Sequence, residues 1–466
     1  MNNISREQIV WDKLPSLQID PPTEKPEIPM ICYAQRIERL RESMHREHID
    51  RMLIYADREH YFNFRYFMGF DPRFEEALLS IDQRKCAVLL GNECFSLHKL
   101  APVPITALHC PELSLPNQPM WRQPLSLIEL LAQIGLHAGE NVGLVGWKMF
   151  TDAAGNVRRD KICVPAFITD AVKTLVVDGE VFNASDILVH PGYGMRTIHD
   201  VDTIAAFEYG AAHASQAIKR QLAHLKPGMT EMQLCNDFIT NGQVLTCHPF
   251  VLAGENAGKG LINATSYIIR KGDALNMCTG LEGGLSCRHG YVANDENDVP
   301  VNCRDYMDVL VKPYYAAVAS WYANMRIGVR GGDIYQMIQR QFPAETYGWM
   351  LNPGHLCSNE EFQSSPFYSD SSCEIKSGMI LQMDIIPNLA GYAGVNCEDG
   401  VCIADARLRE ELQGKYPQIY ARMMLRRRYM FEEIGLALPE EVLPMSDLAA
   451  EYRPYMLNRD MGMRVR

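Results

Sequence analysis

The sequence predicts an α+β protein of two domains, and three observations carry that reading. Strand-like and helix-like stretches alternate to about residue 185, the texture of an α/β layer. Around HPGYGMRTIHD the pattern changes. Beyond it a long helix, a Gly-containing stop and a shorter helix occur twice, each followed by strand-like sequence. A chain of 466 residues is also too long for one ordinary core.

Residues 1–30, rich in Pro and polar residues (DPPTEKPEIP), read as a leader arm. Helical spacing of Ile37, Leu40, Met44 and Ile49 in YAQRIERLRESMHREHID opens a first domain over 31–190. RMLIYA, KCAVLLG and ENVGLVGWKMF follow as interior strands. The second domain, over 191–440, starts with DVDTIAAFEYGAAHASQAIKRQLAHL, a helix closed by Pro-Gly, then TEMQLCNDFITNGQ. YMDVLVKPYYAAVASWYANMRIGVRGG and DIYQMIQRQF form the matching pair. In the tail helix RLREELQGKYPQIYARMMLRRRYMFEEIG the run RRR reads as a solvated face, and 441–466 reads as a terminal arm.

Apolar residues make up 47% and charged residues 22%, the balance of an ordinary globular protein. The net charge of −12 argues against wrapping nucleic acid or docking on an anionic membrane, because phosphates need a basic footprint. No run of about 18 apolar residues is available to span a bilayer. The first residues hold neither a basic n-region nor an apolar h-region. Fourteen scattered cysteines without a CxxC pair predict free thiols in a reducing cytoplasm.

Four segments hold side chains able to bind a metal or move protons. GDALNMCTGLEGGLSCRHGYVA reads as a β-hairpin with Cys278 on its first strand. Cys287 and His289 lie two apart on its second strand and so face one side. NPGHLCSNEEF places His355 after a glycine, where backbone can approach closely. KSGMILQMDIIP sets Asp384 in an apolar strand, where a charge is costly unless paired, hydrogen-bonded or coordinated. NCEDGVCIAD opens an apolar strand with Glu398 and Asp399.

In order and context these segments resemble the pita-bread family of methionine aminopeptidase, aminopeptidase P, prolidase and metal-free creatinase. The resemblance runs from about residue 33 to about 440. RIERLRESMHREHIDRMLIYADREHYFNFRYFMGFDPRFEEALL, with Tyr66, Gly69 and Phe70, is similar to the creatinase/prolidase N-terminal domain. GDALNMCTG, PGH, SGMILQMDIIP and CEDGVCI resemble the family's four ligand-bearing motifs. The resemblance implies an α/β creatinase-type domain followed by a pseudo-symmetric domain with a curved antiparallel sheet.

The family binds two metal ions through Asp, Asp, His, Glu and Glu. Carried across, those positions fall on Cys278, His289, His355, Asp384 and Glu398, the first two being eleven residues apart as in the family. A thiol and an imidazole thus replace two carboxylates. The histidines that bind the scissile carbonyl in the peptidases are missing here, at about Gly260–Leu261 and at Phe362. Their loss removes electrostatics that stabilise the tetrahedral intermediate.

The resemblance therefore implies a creatinase/prolidase-like hydrolase of a C–N bond, with a non-standard centre. His289, His355, Asp384 and Glu398 are its candidate catalytic residues. One divalent metal, zinc or iron, suits the softer donor set Cys278, His289, His355, Asp384 and Glu398. A metal-free centre working through His289 or His355 is the alternative, and Cys278 or Cys287 is a candidate nucleophile. His248 could replace a lost histidine, Phe362 would line the substrate site, and Arg288 is a candidate anion anchor, although strand alternation turns it away from His289. A metallopeptidase with altered ligands and a non-enzymatic binding protein are the other readings. A small-molecule or short-peptide substrate and a homodimer complete the expectation.

Overall fold

The computed structural model describes residues 1–116 and 125–466, in two compact units. One is Ile28–Arg196; the other joins Met1–Glu27 to Thr197–Arg466. Strand β1 (Ile9–Lys13) belongs to the latter.

In the unit Ile28–Arg196, the helix Met30–Arg46 buries Ile37, Leu40 and Met44 on one stripe, as the spacing predicts. Ile49 is buried just past its end. Six strands follow: β2 (Arg51–Ala56), β3 (Ala77–Asp82), β4 (Cys86–Leu90), β5 (Thr106–His109), β6 (Val142–Val145) and β7 (Val181–Asn183). They form one mixed sheet in the order β5-β4-β3-β2-β6-β7. All six residues of β2 are buried, because the strand is interior. Gly69, at φ +71°, closes the helix Phe62–Met68 in a left-handed turn that other residues resist.

The other unit is built on an antiparallel sheet. Its strands are β8 (Leu245–Ala253), β9 (Ala274–Leu281), β10 (Gly284–Tyr291), β11 (His355–Leu356), β12 (Ile380–Met383), β13 (Asn396–Ile403) and β14 (Val442–Pro444). They run in the order β11-β12-β13-β10-β9-β8, with β14 also paired to β13. The helix Val201–His224, buried over most of its length, packs on β9 and β10. At the β9–β10 turn Gly283 has φ +94°, and a Cβ there would overlap Phe207 of that helix. The helix Lys312–Asn324 is buried from Pro313 onwards and packs on β12. Of the expected shorter partners, Gly331–Gln341 is a full helix, whereas the other shrinks to Glu231–Cys235.

Three expectations are corrected here. The segment read as an N-terminal arm enters the second unit, where β1 pairs antiparallel with β15 (Met461–Val465). The segment 441–466 is likewise integral: it supplies β14 and β15, and buries Leu443, Tyr452 and Met463. Apolar residues on alternate positions drive both segments onto the core. The run Arg426–Arg428 is not uniformly solvated. Arg426 is fully buried, 2.5 Å from Asp447 and 2.7 Å from Glu208, because two carboxylates compensate its desolvation. Only Arg428 lies mostly in solvent.

All fourteen cysteines are free thiols. Among the described residues no helix is long and apolar enough to cross a membrane.

Candidate metal centre

A single row of side chains crosses the antiparallel sheet of the larger unit. Cys278 on β9 stands opposite Cys287 on β10, and Cys287 stands opposite Glu398 on β13. Met383 pairs with Asp399, so continuing the β12–β13 register by one residue brings Asp384 opposite Glu398. Laterally paired residues of an antiparallel sheet share a face. Cys278, Cys287, Glu398 and Asp384 therefore line up on one side, and all four are buried.

His355 on β11 closes the row. Its Nε2 lies 3.7 Å from Glu398 Oε1 and 4.0 Å from Asp384 Oδ2. A third carboxylate approaches it more closely: Glu361 Oε1, at 3.0 Å. Nδ1 of His355 lies 3.2 Å from the Leu356 carbonyl. A carbonyl only accepts, so Nδ1 carries a hydrogen, and Nε2 is the nitrogen that faces the carboxylates. Gly354, at φ +109°, precedes this residue, and a Cβ there would press on the Gln382 carbonyl. The glycine thus lets the β11 backbone approach β12.

The electrostatics are those of charges crowded away from water. Burial raises Asp384 well above its ordinary range, and the Glu398 carboxylate adds to the rise. Burial also raises Glu398, to about 7, against the stabilising contact with His355. Burial opposes protonation of His355, yet Glu361, Glu398 and Asp384 together hold it well above an ordinary imidazole. The Cys278 thiol is pushed up by burial and by the thiols of Cys247 and Cys287. For Cys287 the contact with Cys278 favours the thiolate, but burial and the charges of Glu398 and Asp384 prevail and leave it raised.

Two carboxylate oxygens in the cluster, Asp384 Oδ1 and Glu398 Oε1, are buried without a hydrogen-bond partner, and His355 Nε2 faces carboxylates alone. Orphaned buried acceptors are uncommon in native structures and call for an occupant. Imidazole, carboxylates and thiols are the donor types that hold zinc or iron. The residues present therefore fit a divalent metal.

The structure does not bring every expected residue to this point. His289 sits one row away, opposite Asn276 and Asn396. Its ring packs against Gly394, it forms no ion pair with the carboxylates, and burial alone lowers its pKa to about 4. The eleven-residue spacing assigns His289 to the second ligand position, but the register places Cys287 there. Arg288 is corrected as well. It faces the opposite side, 2.6 Å from Asp399, and donates to the carbonyls of Glu451, Cys287 and Glu398. It is a buried structural cation and not an anchor for substrate. His248 is exposed at the irregular part of β8, beside Cys247. The thiol of Cys247 does reach the apolar cluster around Cys278 and Cys287. Phe362 is 49% exposed, and its ring lies 4.6 Å from that of His355. Leu261, near the other lost histidine, is exposed.

Two side chains escaped the sequence reading: Glu361 and Cys247. Glu361 lies in a loop, and Cys247 lies in the bulged part of β8, where register shifts break the alternation that would have marked it. Glu361 carries the same residue type as its neighbour Glu360, and only the loop path distinguishes them.

An antiparallel sheet with paired flanking helices thus carries imidazole, carboxylates and thiols in one buried row, a candidate metal centre. Residues 205–405 match the model of metallopeptidase family M24, and the fold is of the pita-bread type. Solved structures agree on the fold. The prolidase from Pyrococcus horikoshii OT3 superposes with a TM-score of 0.61 at 15% identity, covering 79% of this chain and 95% of that one. An Xaa-Pro dipeptidase from Bacillus anthracis gives 0.58 at 15% identity, covering 80% and 96%. The His243Ala Escherichia coli aminopeptidase P gives 0.54 at 16% identity, covering 86% and 100%. No curated protein matches the sequence.

Proposed function

We propose that this chain is a hydrolase of a C–N bond in a small molecule or short peptide, with one divalent metal ion held by His355, Asp384 and Glu398 and flanked by the thiols of Cys278 and Cys287. The observation that carries the reading is the convergence of His355 Nε2 with the carboxylates of Asp384 and Glu398, whose Oδ1 and Oε1 atoms are buried without hydrogen-bond partners. A bound zinc or ferrous ion supplies Lewis-acid polarisation and an activated water. The match to a metallopeptidase family and the likeness to prolidases favour a C–N bond as the target.

The chain's own groups divide the remaining work. Without the ion, burial raises Glu398 to about 7, so it can hold or release a proton near neutrality. Asp384 lies next to it and opposes a second negative charge, so the two share their protons as a pair. Phe362 offers an apolar ring at the edge of His355 where the peptidases place an imidazole. This substitution disfavours an extended peptide that needs its carbonyl gripped, and favours a small substrate. The reading includes residence in the cytoplasm and a homodimer.

A metal-free form of the same reading rests on the 3.0 Å contact between His355 and Glu361, which could pass a proton without an ion. Elemental analysis of protein purified without added metal, combined with amine release from Xaa-Pro dipeptides and from small amides and amidines, tests both. About one zinc or iron per chain with chelator-sensitive turnover supports the metal form. Chelator-resistant turnover supports the metal-free form. Turnover that survives Asp384→Ala would place the chemistry elsewhere and end both.

A further inference from the structure

The loop after β11 holds a carboxylate that belongs to none of the ligand positions inferred by resemblance. Leu356 N donates to the Ser364 carbonyl at 2.7 Å, and Gln363 N donates to the Leu356 carbonyl at 3.0 Å. These two bonds pinch residues 357–363 into a short loop. Cys357 N ties its start to Ile380 of β12 at 3.0 Å, and Ser358 N bonds the Glu360 carbonyl at 3.0 Å within it. The path turns the Glu361 side chain inward, to 3.0 Å from His355 Nε2, and leaves Phe362 to cover the imidazole. Glu361 is 21% exposed, against 7% for Asp384 and 5% for Glu398. It is the carboxylate at the mouth of the row.

We infer that Glu361 is a metal ligand, supplied by the loop 357–363 and completing a one-ion site with His355, Asp384 and Glu398. The inference rests on the metal reading given above. Two ligand atoms bound to one zinc ion at about 2.0–2.2 Å can stand no more than about 4.4 Å apart. The separations from His355 Nε2, 3.0 Å to Glu361, 3.7 Å to Glu398 and 4.0 Å to Asp384, all fall inside that limit. The ligating atoms of His355, Glu361 and Glu398 also lie within 4.8 Å of one another. Three carboxylates around one imidazole are more negative charge than His355 can neutralise, and among the described residues no Lys or Arg forms an ion pair with Asp384, Glu398 or Glu361. The unpartnered Asp384 Oδ1 and Glu398 Oε1 atoms point independently to a cation at the same place.

The donors are thus graded along the row. Nitrogen and oxygen gather at the His355–Glu361 end, and sulfur at the Cys278–Cys287 end. The ion belongs towards the former, with a loop residue as its outermost ligand and the thiols at its flank. Removal of Glu361 should weaken the metal and leave the fold intact, because the side chain is partly in solvent.

Calorimetric titration of the metal-stripped full chain with Zn²⁺ tests this. Glu361→Gln should lower the affinity at least about 10-fold. Glu361→Asp, which keeps the charge but shortens the reach, should fall between it and the wild type. Glu360→Gln, the same loss of charge one residue away, should change the affinity less than about 2-fold. Circular dichroism and melting temperature establish that each variant is folded. Glu361→Gln binding zinc as the wild type does, or Glu361→Asp matching the wild type while Glu361→Gln is weak, would overturn the ligand role and reduce Glu361 to an ion-pair partner or a distant charge. A wild type that takes up no zinc at all would instead end the metal reading itself.

Discussion

Cys278 and Cys287 stand directly opposite each other across the β9–β10 hairpin, and the row they begin ends at His355. Cys278 puts a sulfur where the family resemblance implies a hard oxygen donor, and Cys287 sets a second sulfur beside it. Metal choice should follow from that exchange. In competition titrations the wild type should favour Zn²⁺ over Mn²⁺, and the double variant Cys278→Asp/Cys287→Asp should shift the ratio towards Mn²⁺ by at least about 10-fold. An unchanged ratio would remove the thiols from the centre.

Asp384 and Glu398 repel each other in a buried site, and both are raised by burial. In the presence of chelator, Asp384→Asn should therefore stabilise the protein, by on the order of 1–2 kcal/mol near pH 7. The same variant should lose high-affinity zinc binding. Urea unfolding with and without zinc reads both effects. A destabilised variant under chelation would mean that Asp384 is held by a structural partner.

Arg288 and Asp399 form a buried pair on the face of β10 and β13 turned away from the row. Arg288→Met should destabilise by about 3–5 kcal/mol, because it leaves Asp399 uncompensated. Zinc affinity of the folded fraction should move less than about 2-fold. A selective loss of metal or substrate binding with unchanged stability would return Arg288 to a functional role.

His289 predicts a pH effect. Its folded pKa, about 4, lies below the unfolded value of about 6.5. Below pH 6.5 the unfolded chain binds a proton that the folded chain refuses, so stability falls as pH drops and the loss is complete near pH 4. The span corresponds to about 3 kcal/mol. His289→Gln should flatten this limb, so its stability relative to the wild type should rise between pH 6.5 and 4. A parallel pair of pH profiles would show that the imidazole reaches water or a partner.

The hairpin carrying Cys278 and Cys287, and the Asp384 and Glu398 positions, were legible in the sequence. Period-2 alternation and glycine turns are local signals, and a charge inside an apolar strand marks itself. The assignment of His289 failed for a geometric reason. Sequence spacing counts residues along the chain, whereas ligation depends on cross-strand register, and 278 pairs with 287. Arg426 was read as part of a solvated face, and the segment 441–466 as a terminal arm, for a similar reason. Their partners, Glu208, Asp447 and the edges of β13 and β1, lie far away along the chain.

By itself the sequence determined the α+β class, the helix stripes, the β9–β10 hairpin and the types of donor available, because these follow from periodicity and composition. Only the tertiary structure decided which donors meet. Antiparallel register selected Cys287 over His289, and two backbone hydrogen bonds at Leu356 turned Glu361, and not Glu360, towards His355. The physical reason is that secondary structure depends on neighbours in the chain, while a binding site depends on distances between atoms that the chain separates by up to 120 residues, from Cys278 to Glu398.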